Sequence, residues 1–154
     1  MLSFADRTSA RALYSTGVAV TSGVGANATL ATVTIPAGML RTSSQLLIYG
    51  DFTSGGSVGT RTVTYTFTDG LTPTNVIVGN LNSAAGTRNM IRMVNRNSLS
   101  SQRWTLENTL NFSVATTVTS TTTLNTGAAT TLTLTATNAS DTLTMESLLV
   151  VVCP

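Results

Sequence analysis

From position 60 to 68 the chain carries threonine at every even position and Arg61, Val63, Tyr65 and Phe67 at the odd ones. A period of two belongs to an extended strand, whose successive side chains point to opposite faces. Val63, Tyr65 and Phe67 therefore turn to a core, and the hydroxyls turn away from it. Threonine is itself β-branched and suits a pleated surface.

Further strand-like runs, bounded by Gly, Asn, Ser and Pro clusters, are expected at Leu13–Thr21, Ala28–Ile35, Gln45–Phe52, Asn75–Val78, Thr87–Arg96, Trp104–Thr109, Asn111–Ser120, Thr130–Thr137 and Leu143–Val152. Turn chemistry separates them. Pro36-Ala37-Gly38 supplies a residue without an amide hydrogen and one tolerant of positive φ, and Asp69-Gly70 closes the run at 61–68. A turn is also expected from Gly79 to Gly86. In Thr87–Arg96 the residues Arg88, Met90, Arg92, Val94 and Arg96 share one strand face, with Asn89, Ile91, Met93 and Asn95 opposite. Arginines at 88, 92 and 96 also recur every fourth residue, so a short helix is the alternative there.

Eight to ten strands with no amphipathic helix between them predict an all-β fold, an antiparallel β-sandwich of jelly-roll type. Met1 to Ala12 shows neither period and is read as a short N-terminal arm, leaving 13–154 as a single domain. A chain of 154 residues buries roughly 70% of the surface its unfolded form exposes, enough for a core without disulfides. Only Cys153 is present, so no disulfide can form within the chain.

Charge is scarce: 9% of residues, with eight arginines, no lysine and a net charge of +2. That balance is too small to imply nucleic acid as a partner, and a weakly charged, β-prone surface favours life inside an assembly. The N-terminus lacks the basic-then-apolar order of a secretory signal. No signal peptide is expected, and nothing in the residues directs export. The longest strongly apolar stretch, Leu148 to Val152, falls far short of the roughly 20 residues that span a bilayer, and no membrane partner is expected.

Catalytic chemistry finds little to use. There is no histidine, and Asp6, Asp51, Asp69, Glu107, Asp141 and Glu146 are scattered singly. Two distant carboxyls can still converge to cleave a glycoside, but Asp69 and Asp141 read as turn residues. Clustered zinc ligands and a calcium loop are both missing, so no metal or cofactor is expected and the chain reads as a non-enzyme. Gly55 to Gly59 lacks the lysine and helix of a phosphate loop and reads as a hairpin.

The one concentration of charge is Arg88, Arg92, Arg96 and Arg103, followed by Trp104; Arg7 and Arg11 lie in the arm. One reading is a solvated strand face. The other is a protein contact surface, with guanidinium forks for a neighbour's carboxylates and Trp104 as an aromatic anchor.

Three segments together, Thr29 to Leu40 (TLATVTIPAGML), Arg96-Asn97-Ser98 to Ser101-Gln102, and Thr130 to Met145 leading into a leucine-valine strand, resemble small jelly-roll structural proteins of tailed bacteriophages. That group includes capsid decoration (cement) proteins and domains of tail fibres. The resemblance implies a homotrimer on the outer surface of the virion's head, bound to the major capsid protein and stiffening the shell. It carries no catalytic residues. A receptor- or carbohydrate-binding module of a tail or head fibre, gripping sugars with Trp104 or Tyr49, is the alternative, and a neck or tail-tube component is a third.

Overall fold

The computed structural model describes residues 10–23, 27–55, 61–71, 74–81, 86–108, 112–114, 121–122, 124–138 and 142–154. Among them are twelve strands: β1 (Arg11–Thr16), β2 (Val20–Ser22), β3 (Asn27–Ile35), β4 (Gln45–Ser54), β5 (Arg61–Thr68), β6 (Thr74–Leu81), β7 (Thr87–Asn95), β8 (Gln102–Asn108), β9 (Phe112–Val114), β10 (Thr121–Thr122), β11 (Thr130–Asn138) and β12 (Leu143–Cys153). The described residues contain no helix.

One sheet has the order β1-β12-β4-β7-β8-β10, with β2 also on β12; the other has the order β3-β11-β5-β6-β9. Every pairing is antiparallel. The pairs β1/β2 with β12, β3 with β11, β4 with β7, and β5 with β6 nest from the chain ends toward its middle and alternate between the sheets. That nesting is the jelly-roll plan, with β8, β9 and β10 inserted between β7 and β11.

The element from Arg61 to Thr68 has the predicted bounds, and its odd residues are buried. Thr87–Asn95 is a strand, and the helical alternative falls. Its burial alternates with period two, putting Asn89, Ile91, Met93 and Asn95 inward. Gly38 and Gly70 take φ of 73° and 90°, which only glycine adopts without strain, in the two predicted turns.

Several boundaries differ from expectation. The run expected as one strand from Leu13 is two, broken at Gly17–Ala19, and it opens at Arg11. Arg11, expected in the arm, has its backbone paired with Val152. β6 continues through Gly79 to Leu81 where a turn was expected, because Gly79, Asn80 and Leu81 find partners on both β5 and β9. Of the run expected at 111–120, Phe112–Val114 forms β9, and residues 115–120 lie outside the described residues.

The core lies between the sheets. Val63, Tyr65, Phe67, Leu132, Leu134 and Ala136 from one sheet meet Leu46, Ile48, Phe52, Ile91, Met93 and Trp104 from the other, all at 1% exposure or less. Two contacts tie the layers. The rings of Phe67 and Trp104 sit 4.6 Å apart at 52°, and the Tyr65 hydroxyl donates to Asn89 Oδ1 at 2.9 Å. The latter gives a polar group inside the core a partner it would otherwise lack.

Trp104 is thus a core residue and not the surface anchor expected beside the arginines. In β8 its neighbours alternate, Gln102 and Trp104 inward and Arg103 outward, so adjacency in sequence places the two on opposite faces.

Candidate functional site

The two outer faces of the sandwich differ in chemistry. On the β3, β11 and β5 side, threonines stand in register across three strands. Thr34, Thr131 and Thr68 form one row, Thr32, Thr133 and Thr66 the next, and Thr29, Thr135 and Thr64 a third. Opposed Thr–Thr pairs stabilise a ladder by about 0.2–1 kcal/mol each. The outward positions described on these three strands carry no charge.

The outer face of the other sheet has an apolar centre. Registers align Cys153, Gln45, Val94 and Arg103 in one row, Val151, Leu47, Arg92 and Thr105 in the second, and Leu149, Tyr49, Met90 and Glu107 in the third. The apolar members are half-buried and point away from the core. The cause is visible in the sequence: Leu46-Leu47-Ile48 and Leu148 to Val152 are unbroken apolar runs, and in a strand such a run makes both faces apolar.

Charges of both signs surround this apolar centre. Arg88 and Arg92 lie on β7, Arg103 and Glu107 on β8, Asp51 on β4 and Glu146 on β12. Arg92 donates through Nε to Gln45 Oε1 at 3.0 Å. Arg88 donates through Nε to Asp51 Oδ1 at 2.7 Å, and Ser147 donates to Asp51 Oδ2 at 2.7 Å. The Arg88 hydrogen bond, aided by that of Ser147 and opposed by partial burial, holds the Asp51 carboxyl below the usual carboxylate range; the same bond raises Arg88.

Glu146 reaches this face through a β-bulge. The register of β12 on β4 shifts between Met145 and Ser147, so Glu146 and Ser147 both avoid the core while Met145 and Leu148 fill it. Glu146 accepts a hydrogen bond from the Thr53 hydroxyl. With Asp51, Phe52, Thr53, Gly86, Thr87 and Arg88 it lines a depression of ≈ 400 Å³. Two acids scattered in the sequence, Asp51 and Glu146, are therefore neighbours in space. The only sequence signal was the spacing of three between inward Met145 and Leu148, which a strand accommodates only with an extra residue.

Of the arginines singled out in the sequence, the structure brings Arg88, Arg92 and Arg103 onto this one face. Arg96 lies just past the end of β7, its backbone N–H bonded to the Ser101 carbonyl at 2.9 Å. Arg11 is exposed at the start of β1, and Arg7 lies outside the described residues. Among the described residues no group of three or more His, Cys, Asp or Glu gathers in metal-binding range.

No family model matches the chain, and no curated protein sequence is similar to it. Solved structures give a distant likeness. One is a structure of the Gt strain of infectious bursal disease virus, with 16% identity and a TM-score of 0.43 over 96% of this chain and 33% of that one. A second is the VP2 subviral particle of the same virus, with 17% identity and a TM-score of 0.40 over 92% and 32%. The chain spans about a third of the length of these matches. At such scores the likeness transfers neither family nor role.

Proposed function

We propose that this chain is a structural protein of a virus particle: a decoration or cement protein of a tailed bacteriophage that binds the outside of the head as a trimer and stabilises the shell. Its partners in this reading are the major capsid protein and copies of itself, and its role requires no catalysis. The observation that carries the proposal is the pair of broad outer faces, one of registered threonines and the other apolar with its charges at the border. Faces like these can be covered by protein with few charges left buried and unpaired, a burial that is costly. The bacteriophage setting comes from the sequence resemblance.

The test is to mix purified protein with assembled heads that lack it and to image the particles. Stoichiometric added density on the outer surface, with greater resistance of the heads to heat, is the expected result. Failure to bind, or density confined to the tail or neck, refutes the assignment.

A second reading, a carbohydrate-binding module, is favoured by the depression at Asp51, Thr53, Arg88 and Glu146, where acceptors and a donor for sugar hydroxyls lie two residues along β4 from Tyr49. Binding on a glycan array that Glu146→Gln abolishes would replace the first reading with this one.

A further inference from the structure

At the end of the sandwich where β7 finishes and β8 begins, buried polar side chains fix the loops that cover it. Asn95, Gln102 and Thr126, all at 3% exposure or less, tie together the loops at 36–44, 96–101 and 124–129. Asn95 donates through Nδ2 to the Arg41 carbonyl at 2.6 Å and to Thr126 Oγ1 at 2.9 Å. Thr126 donates from its amide and its hydroxyl to the Leu99 carbonyl, at 2.8 and 2.9 Å, and Gln102 Nε2 donates to the same oxygen at 3.0 Å. Asn97, in the second loop, holds a φ of 57°, the only described residue besides glycine in the left-handed region. Such a conformation persists where the surroundings over-determine it.

What the fixed loops present is cationic and apolar. Arg41, Arg96 and Arg103 are exposed. They lie close along the backbone: Asn95, which binds the Arg41 carbonyl, precedes Arg96, and Arg103 pairs with Val94. Arg11, paired with Val152, stands exposed at the same end. Among the described residues none of these four guanidiniums has an ion-pair or hydrogen-bond partner. The described carboxylate at this end is Asp69, which accepts the Leu71 amide on Oδ1 at 3.1 Å and the Asn125 amide on Oδ2 at 3.0 Å. Even with a terminal carboxylate counted at Pro154, which follows β12 here, positive charge prevails. Leu71, 86% exposed, and Leu99, 36% exposed, lie on loops bonded to Asn125 and Thr126.

We infer that this loop end is a docking surface for an acidic patch of another protein, whose carboxylates meet Arg41, Arg96 and Arg103 while Leu71 and Leu99 make apolar contact beside them. Charge complementarity selects the sign of the partner. Planar guanidinium forks bind carboxylates through two parallel hydrogen bonds, a fit that a lysine lacks. Loops held in place beforehand lose less ordering entropy on docking. Nucleic acid fits less well, because strand-binding surfaces stack bases on exposed aromatic rings. The described rings near this end, Phe67 and Trp104, are buried, and the exposed apolar groups are leucines. A second copy also fits less well, since Asp51 is already paired with Arg88 of its own chain. The inference goes beyond the decoration reading and does not require it.

The test measures fluorescence anisotropy of labelled probes with the full chain at near-physiological salt. The probes are a peptide of glutamates interspersed with leucines, an all-glutamate peptide of the same length, and single-stranded and duplex DNA. Wild type is expected to bind the mixed peptide most tightly. Arg41→Glu with Arg96→Glu is expected to weaken that binding at least about tenfold. Leu71→Ser, at an exposed position, is expected to remove the preference for the mixed peptide over the all-glutamate one. Arg96→Glu and Arg88→Glu change net charge equally, and only the first is expected to weaken binding. Circular dichroism verifies that each variant is folded.

Tighter binding of DNA than of the mixed peptide overturns the inference, as does no binding of either peptide. So does an equal loss in Arg88→Glu and Arg96→Glu, which makes net charge and not this end the cause, or a Leu71→Ser protein that keeps the preference. Peptide binding at this end by a chain that does not bind assembled heads refutes the decoration reading alone. Head binding by a chain that binds neither peptide overturns this inference alone.

Discussion

Gly50 sits at an inward position of β4, where every other described residue of that parity is larger. A Cβ built there falls 2.6 Å from Cε2 and 2.9 Å from Cζ of Phe52, and 3.0 Å from Asn89 Oδ1. None of these atoms has room to retreat, since Phe52 is 1% exposed and Asn89 is fully buried. Asn89 Oδ1 also accepts the Tyr65 hydroxyl that links the sheets. Overpacking of this kind costs about 1–3 kcal/mol. Loss of the linking bond adds about 1 kcal/mol. Against this, alanine gains about 0.5–1 kcal/mol by restricting the unfolded chain. The net is a destabilisation of about 1–3.5 kcal/mol, or roughly 2–14 °C of melting temperature for a chain of this size. Gly86→Ala is the matched control. Among the described residues its Cβ has no neighbour closer than Thr53 Cγ2 at 3.8 Å, so it is expected to be neutral or slightly stabilising. Thermal melts of both variants by circular dichroism decide the matter. A Gly50→Ala protein melting within about a degree of Gly86→Ala refutes the close-approach argument.

Trp104→Ala empties one of the largest buried sites and is expected to cost about 3–5 kcal/mol in chemical denaturation, unlike a surface anchor, whose loss changes binding and leaves stability alone. Burial drives the Tyr65 phenol far above its ordinary value; the unfolded tyrosine loses its proton from about pH 10 upward while the folded one keeps it, so stability is full below that pH and falls by up to about 1.4 kcal/mol per unit above it. Melts at pH 8 and pH 11 are expected to show a drop in wild type that is smaller in Tyr65→Phe, which itself costs about 1 kcal/mol through the lost bond to Asn89. Asp51→Asn is expected to cost under about 1 kcal/mol, because the pair with Arg88 is solvent-exposed. The lowered carboxyl pKa makes that small contribution present above about pH 4 and lost as pH falls, and salt titration of the melt should diminish it further.

Much of the sandwich was legible because one face of most strands is buried and the period of two is then forced. Arg61–Thr68 and the runs ending in β11 and β12 read correctly for that reason. Two things were not legible. Trp104 was grouped with the arginines by adjacency, although parity within β8 separates it from Arg103. The proximity of Asp51 to Glu146 depends on β12 pairing with β4 across ninety-odd intervening residues and on a bulge, neither of which is written in local sequence. The apolar outer face was legible in principle, in the unbroken runs Leu46–Ile48 and Leu148–Val152. Their meaning changes once both strands are known to lie in the interior of a sheet.

The described edges of the two sheets bear on whether strand addition is open to this chain. A neutral sandwich is exposed to edge-to-edge pairing, since a free edge offers unpaired amides to any strand. Among the described residues β10 has two and β9 has three, and the β1–β2 edge is interrupted at Gly17–Ala19. The remaining edge, β3, is nine residues long and uncharged. It is blunted differently. Its register on β11 shifts so that Ala31 pairs Leu134 and Thr29 pairs Thr135, leaving Leu30 as an extra residue. Leu30 and Ala31 are both buried, so the strand bends inward at its middle and no straight run of free amides spans it. With the β1–β2 edge broken and β3 bent, the two broad outer faces, one of threonines and one with an apolar centre, are the surfaces that suit a low-charge chain for association in a defined geometry.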